Sequence, residues 1–274
     1  MGKNHDKVVV SFCDSIIRQS DLKLLEGPHW LNDRIIGFYF EYLFEKEFDS
    51  SDKLVFISPE VCQFLKMSRK EELEVFLEPL NLDTKDLIVL AVNNNDSERS
   101  GGSHWSLLMF SKQAREFFHF DSSSGMNYEP ARQLASNTHS YLMSKLQYED
   151  RYAMRIKEVP VIQQTNGYDC GIHVLCNAKG ATRHMLIYGS DDGMEKLPEN
   201  LVNRMCLKKL IFELGGITED EHASWQQSQC QCFWIKILNL PICLAIVRPK
   251  VEGDKVSILF GPSFRQNGNF ICCG

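Results

Sequence analysis

One histidine, one aspartate and one cysteine in this chain stand in contexts that suit thiol chemistry. They are His104 at the head of an apolar run, Asp121 at the foot of the next, and Cys170 about 50 residues later. Gly101-Gly102-Ser103-His104 followed by Trp105 to Phe110 reads as a loop entering a buried strand, and Phe117 to Asp121 reads as a second strand running into Ser122-Ser123-Ser124-Gly125. The polar stretch Ser111 to Glu116 between them has hairpin character. Centred near Gln113 and Ala114, that hairpin pairs residues whose numbers sum to about 226 to 228, which sets His104 opposite residues 121 to 125. A carboxylate there fixes an imidazole tautomer, so the pair is a base and its orienter awaiting a nucleophile. Cys170 is the candidate. Asn166-Gly167 marks a turn, Asp169 is a suitable N-cap, and the apolar residues after it support a helix, which places Cys170 in the first helical turn. The helix dipole and a neighbouring imidazolium both favour thiolate over thiol at that position. Gln164, six residues earlier across the turn, supplies an amide that can donate to a developing oxyanion beside the Cys170 backbone N–H.

Taken singly, each of these residues has a plainer reading. A cysteine in an apolar helix is usually a small buried hydrophobe, as expected for Cys176, and a histidine beside a tryptophan is more often packed than basic. His119 lies two residues before Asp121, on the same strand face, and is a rival base inside an aromatic run. Trp30 and Trp105 read first as core aromatics with an indole N–H to satisfy. The joint occurrence of histidine, aspartate, glutamine and cysteine, each in a fitting local context, is what favours catalysis.

The elements that must position these residues are a mixture of strands and helices. Val8 to Phe12 is a short strand candidate. Asn32 or Asp33 caps a helix with apolar residues at 31, 35, 38, 39, 42 and 43. Ser58-Pro59 is a cap followed by proline at the first helical position, and Pro79 ends the next helical stretch after Leu77. Leu87 to Val92 is apolar throughout and reads as the central strand, covered on both faces. Ala131 to Leu146 is helical in character, Ala153 to Val159 is a strand candidate, and Leu201 to Leu214 is a helix ended by Gly215-Gly216.

His104-Trp105, Asp121 and Gln164 to Gly171, in that order, resemble the Ulp/SENP cysteine peptidases that process ubiquitin-like modifiers. Trp30-Leu31-Asn32-Asp33, Phe56 to Glu60, Phe76 to Leu80 and Gly101 to Leu108 are similar to the branch of that family acting on the neddylation modifier. The resemblance spans roughly Val8 to Trp225. It implies an α+β, papain-like fold of the Ulp type, with a central mixed or antiparallel sheet flanked by helices. It also implies cleavage after a C-terminal Gly-Gly, either of a precursor or of a conjugate to lysine. His104, Asp121 and Cys170 would be catalytic, with Gln164 at the oxyanion. Trp105 would roof a narrow tunnel, Trp30 would form its opposite wall, and Asp33 would meet a basic residue of the modifier tail. The implied partners are the modifier and its conjugates such as cullins, with the enzyme a monomer. A SUMO-directed relative has the same catalytic set. Acyltransferases with a similar residue order need a coenzyme or phosphate site, for which this sequence has no Gly-rich loop or Lys/Arg cluster. A modifier-binding module without turnover is disfavoured because every expected catalytic position is filled.

Composition agrees with a globular enzyme: 274 residues, 43% hydrophobic and 24% charged. A formal charge of −6 without a basic stripe argues against nucleic-acid binding. The ten cysteines include no CxxC pair and no matching histidine spacing, so neither metal, cofactor nor structural disulfide is expected. The start of the chain lacks the pattern of a signal peptide, and cytoplasm or nucleus is the expected location. Residues 1–225 are expected to form the peptidase domain. Residues 226–274 differ in kind, with five cysteines and the apolar stretch Cys230 to Val247. Lys236, Asn239 and Pro241 argue against a membrane span there. The segment reads instead as adventitious coding sequence, with a small β appendage around Lys255 to Phe260 as the alternative.

Overall fold

The computed structural model describes residues 6–97, 101–197 and 201–218, together with the strand residues 250–252 and 255–257. The chain divides into two units, Met1–Glu219 and Asp220–Gly274, and the first contains every candidate site residue.

That unit opens with an antiparallel hairpin of β1 (Val8–Phe12) and β2 (Ser15–Arg18), followed by the short α1 (Gln19–Leu24). The helix α2 (Asp33–Tyr42) starts at Asn32, whose side-chain oxygen accepts from the Ile35 N–H and so satisfies one of the unpaired donors of the first turn. Then come β3 (Leu54–Ile57) and α3 (Pro59–Met67), the latter capped by Ser58 with proline in its first turn. The helix α4 (Lys70–Leu77) tightens into a single 3₁₀ turn at Glu78–Leu80, where Pro79 cannot continue an α-helix. The remaining elements are β4 (Leu87–Asn93), β5 (Trp105–Ser111), β6 (Glu116–Phe120), α5 (Tyr128–Lys145), β7 (Ile156–Glu158), α6 (Cys170–Tyr188) and α7 (Arg204–Gly215).

Five strands form one mixed sheet in the order β3-β4-β5-β6-β7, antiparallel at its centre and parallel at both edges. Alternate side chains take opposite faces. Ile88, Leu90, Val92, Leu108, Phe110 and Phe117 pack with residues of α3, α4 and α5, and the intervening residues face the other way, where α6 lies against β4 and β5. The result is the α+β architecture expected. The β4 run is buried along its whole length, but β5 rather than β4 is the middle strand, because both β6 and β7 add beyond it. Residue pairs Leu107 with Phe120 and Ser111 with Glu116 sum to 227, the register inferred for the hairpin. His104 therefore precedes β5 by one residue and Asp121 follows β6 by one, at the same end of the sheet.

Three boundaries differ from those read in the sequence. The helix α5 begins at Tyr128, three residues early. The strand β7 keeps only three residues of the expected seven, on an exposed edge, with Pro160 just beyond. The start of α7 waits for Asn203, whose side chain accepts from the Cys206 N–H.

In the second unit, Lys250–Glu252 pairs antiparallel with Lys255–Ser257. This is part of the strand expected at 255–260, and the stretch Cys230 to Val247 lies outside the described residues. No helix among the described residues is long and apolar enough to cross a membrane.

Candidate active site

His104 and Asp121 meet at the end of the sheet with Nε2 and Oδ1 2.6 Å apart, both side chains buried. The carboxylate is held from behind. The Ser123 N–H donates to its Oδ1 at 2.9 Å and the Asn127 N–H to its Oδ2 at 3.0 Å. Cys170 also acts on the imidazole and favours its charged form, and with Nε2 taken by Asp121 the nitrogen left to serve the thiol is Nδ1. Burial disfavours the imidazolium. The hydrogen bonds with Asp121 and then Cys170, with the charges of both, outweigh that penalty and lift the His104 pKa to about 9. Burial likewise opposes the Asp121 carboxylate, but His104 and the two backbone N–H groups hold its pKa below the usual range. The arrangement favours an imidazolium paired with a carboxylate at neutral pH.

The approach to His104 is fixed by its own loop. Asn94 Oδ1 accepts from the N–H groups of Ser103 at 2.7 Å and His104 at 3.1 Å. Gly102 has φ +86°, and a Cβ there would lie 1.8 Å from Asn93 Oδ1, so both backbone and space require glycine. Lys66, buried beneath this loop, donates to the carbonyls of Asn93 and Asn95, and burial pushes its pKa down to about 8.

Cys170 is the first residue of α6 and is fully buried. Gly171 lets the helix start approach the segment leading into α2: a Cβ on it would stand 2.8 Å from the Cβ of Leu31. Asp169 occupies the N-cap position, but its side chain does not cap the helix as the sequence suggested. Its Oδ1 accepts from Arg204 Nε at 2.8 Å and its Oδ2 from Asn166 Nδ2 at 2.7 Å. The first-turn N–H groups are therefore not spent on a capping carboxylate. Gln164 lies beside Ser122, whose hydroxyl donates to Gln164 Oε1 at 2.8 Å. This sets the amide nitrogen toward the following turn, where one of its two N–H bonds goes to the Asn166 carbonyl at 2.6 Å.

The two tryptophans flank this centre. Trp105 opens β5 and donates its indole N–H to the Leu31 carbonyl at 3.0 Å. Trp30, 50% exposed, donates to the Gly167 carbonyl at 2.6 Å, in the turn leading to Cys170. Asp33, half-buried at the start of α2, accepts from the Arg34 N–H and joins none of the hydrogen bonds linking the tryptophans to the Cys170 turn.

His119, the rival base, is fully buried and engaged on both ring nitrogens, Nδ1 with Glu158 Oε1 at 2.7 Å and Nε2 with Ser106 Oγ at 2.8 Å. It is not directed at a thiol. Cys176 is half-buried, with Sγ 3.2 Å from the Val202 carbonyl. Three supporting residues were not named as site residues from the sequence. Asn127 braces Asp121. Asn166 Oδ1 accepts from the Tyr168 and Asp169 N–H groups. Arg204, 35 residues after Asp169, donates to it and to the carbonyls of Leu24, His29 and Tyr168, joining the Trp30 loop to the Cys170 turn. The Asn127 and Arg204 contacts are set by tertiary packing, whereas Asn166 acts within the Asn166-Gly167 turn that the sequence marks.

Residues 29–209 match the Ulp1 protease family, C-terminal catalytic domain. The chain is 46% identical over 176 residues to Sentrin-specific protease 8 of Homo sapiens, covering 64% of this chain and 81% of that protein. It is 37% identical over 177 residues to NEDD8-specific protease 1 of Arabidopsis thaliana, covering 64% and 75%. The crystal structure of the C-terminal Ulp1 protease domain in complex with Smt3, the yeast ortholog of SUMO, superposes with a TM-score of 0.58. That alignment is at 20% identity over 77% of this chain and 90% of that one, a likeness of fold.

Proposed function

The chain belongs to the Ulp1 family of cysteine peptidases, and on that premise we propose that it cleaves after the C-terminal Gly-Gly of a ubiquitin-like modifier, with NEDD8 as its client. The observation that carries the reading is the imidazole of His104 held between a buried carboxylate and a thiol at the start of a helix. Cys170 Sγ attacks the carbonyl carbon of the second glycine, its proton having passed to His104. The tetrahedral oxyanion is met by the Cys170 N–H and by Gln164, while Asp121 balances the imidazolium. Collapse expels the amine, which takes the proton from His104. A water molecule deprotonated by the same imidazole then attacks the thioester and releases the modifier carboxylate and the thiol.

A buried thiol flanked by Trp30 and Trp105 suits a substrate end without side chains, because a diglycine can pass where a larger residue would be stopped. Asp33 is the proposed partner for a basic residue upstream of that diglycine. Conjugates such as cullins, action as a monomer and residence in cytoplasm or nucleus complete the reading. NEDD8 is favoured over SUMO because the relatives that match at 37 to 46% identity are NEDD8-specific protease 1 and Sentrin-specific protease 8, whereas the likeness to the Smt3-bound structure is one of fold. The test is kcat/KM on purified NEDD8 and SUMO precursors. A preference of about tenfold or more for NEDD8 is expected, and equal or reversed rates would overturn the client assignment.

A further inference from the structure

Behind the catalytic pair, a string of polar groups, buried except at its outer end, crosses the sheet to its exposed edge. It begins at Glu158 on β7, whose Oε1 lies 2.7 Å from Nδ1 of His119 on β6. It continues from His119 Nε2 to Ser106 Oγ on β5 at 2.8 Å, and from there to Asn127 Nδ2 at 3.1 Å. The same Nδ2 approaches the carbonyls of Val92 at 3.2 Å and His104 at 3.4 Å, while the Asn127 backbone N–H donates to Asp121 Oδ2. His119, Ser106 and Asn127 are each at most 1% exposed, and the neighbouring positions of β5 and β6 are mainly Leu, Met and Phe.

We propose that Glu158, His119, Ser106 and Asn127 act as a positioning string for the proteolytic reaction, fixing Asp121 and the backbone of His104 so that the imidazole meets Cys170. The inference rests on the assignment of His104 and Asp121 proposed above.

Donor and acceptor chemistry gives the string a direction. An exposed carboxylate only accepts, so His119 donates from Nδ1, and in the neutral ring its Nε2 is then an acceptor. The Ser106 hydroxyl must then donate to His119, which leaves its lone pairs for the Asn127 amide. Asn127 Nδ2 has two N–H bonds and three acceptors within reach, and the Ser106 lone pair draws one of them to the far side of the amide. This locks a side chain that bridges the ends of β4 and β5 at the N-cap of α5. With the side chain locked, the backbone N–H of the same residue stays aimed at Asp121. Asn127 is thereby bound to the carboxylate through its main chain and to the main chain of the base through its side chain.

The test compares Asn127→Ala, Ser106→Ala, His119→Phe and His119→Gln with the wild type and with Asp121→Asn. Each is followed by kcat and KM on the NEDD8 precursor, by thermal midpoint, and by NMR titration of His104. Asn127→Ala is expected to lower kcat by about ten- to a hundredfold with KM within about twofold, and to move the His104 titration downward, because a misaimed carboxylate supports the imidazolium less. His119→Phe removes both hydrogen bonds at similar volume and is expected to lower kcat. His119→Gln keeps an acceptor toward Ser106 and is expected to recover part of that loss. Should Asn127→Ala not fold, Ser106→Ala, which deletes one oxygen, decides. Variants that lose thermal midpoint while folded enzyme keeps wild-type kcat and His104 titration would show a purely structural role and overturn the proposal. Asp121→Asn separates the layers: inactivity there with unaltered string variants defeats the string alone, whereas full activity in Asp121→Asn defeats the catalytic assignment itself.

Discussion

Removing the Asp121 charge isolates the electrostatics of the site. Asp121→Asn keeps shape and volume but takes away the main support of the imidazolium, while the burial that opposes it is unchanged. His104 stands at about 9 against an ordinary 6.5. At 1.36 kcal/mol per unit this corresponds to ~3 kcal/mol, or a factor of about 300 in the ratio of imidazolium to imidazole. With Asp121 neutral the pKa should fall to 6.5 or below. The new amide also presents N–H bonds to a pocket where Ser123 and Asn127 already donate, so an acceptor position is lost as well. The assay is kcat/KM against pH on a fluorogenic modifier substrate, whose upper limb reports loss of the protonated base in the free enzyme. That limb is expected near pH 9 in the wild type and below about 7 in the variant, with activity at pH 8 reduced at least ~100-fold. An upper limb that stays near 9 in Asp121→Asn would refute the argument that this carboxylate sets the protonation of His104.

The same shift has a stability consequence. A folded-state pKa raised above the unfolded value contributes stability that is fully present below pH 6.5 and is lost as pH rises through 9. The unfolding free energy of the wild type minus that of His104→Gln should therefore fall by ~3 kcal/mol across that window, measured by urea denaturation, and a flat difference would contradict the shift. Arg204→Met strands the carboxylate of Asp169 and the carbonyls of Leu24, His29 and Tyr168. A loss of ~2–4 kcal/mol in stability is expected, with KM raised more than kcat is lowered, in denaturation and steady-state assays. Gly102→Ala places a Cβ on Asn93 and forces a left-handed conformation. It should cut kcat/KM by about tenfold or more, and wild-type kinetics in this variant would show that the loop before His104 does not need its present path.

Much of this site was legible in the sequence because it is built on short-range rules. The β5–β6 hairpin fixed which residues face each other, so His104 and Asp121 were brought to one end of the sheet by counting. Asn166-Gly167 announced the turn before α6, and Ser58-Pro59 the start of α3. What sequence could not supply is partner choice across long separations. Asp169 has the residue type of a helix cap, yet Arg204 and Asn166 compete for its carboxylate and win. Asn127 lies in a polar turn of no distinct pattern, and its role exists only once β4, β5 and α5 converge on it. The identity of the middle strand was also beyond local reading. Burial makes Leu87 to Val92 uniformly apolar wherever it sits between two covered faces, so composition does not reveal strand order.

The most direct test of the account is a mass-shift assay with NEDD8 bearing a C-terminal electrophile, run on the wild type and on Cys170→Ala beside equivalent SUMO and ubiquitin probes. A covalent adduct one modifier heavier is expected with the NEDD8 probe, absent from Cys170→Ala. An adduct that persists in Cys170→Ala, or no adduct with a folded wild-type chain, would contradict the assignment of Cys170 as the nucleophile for this client.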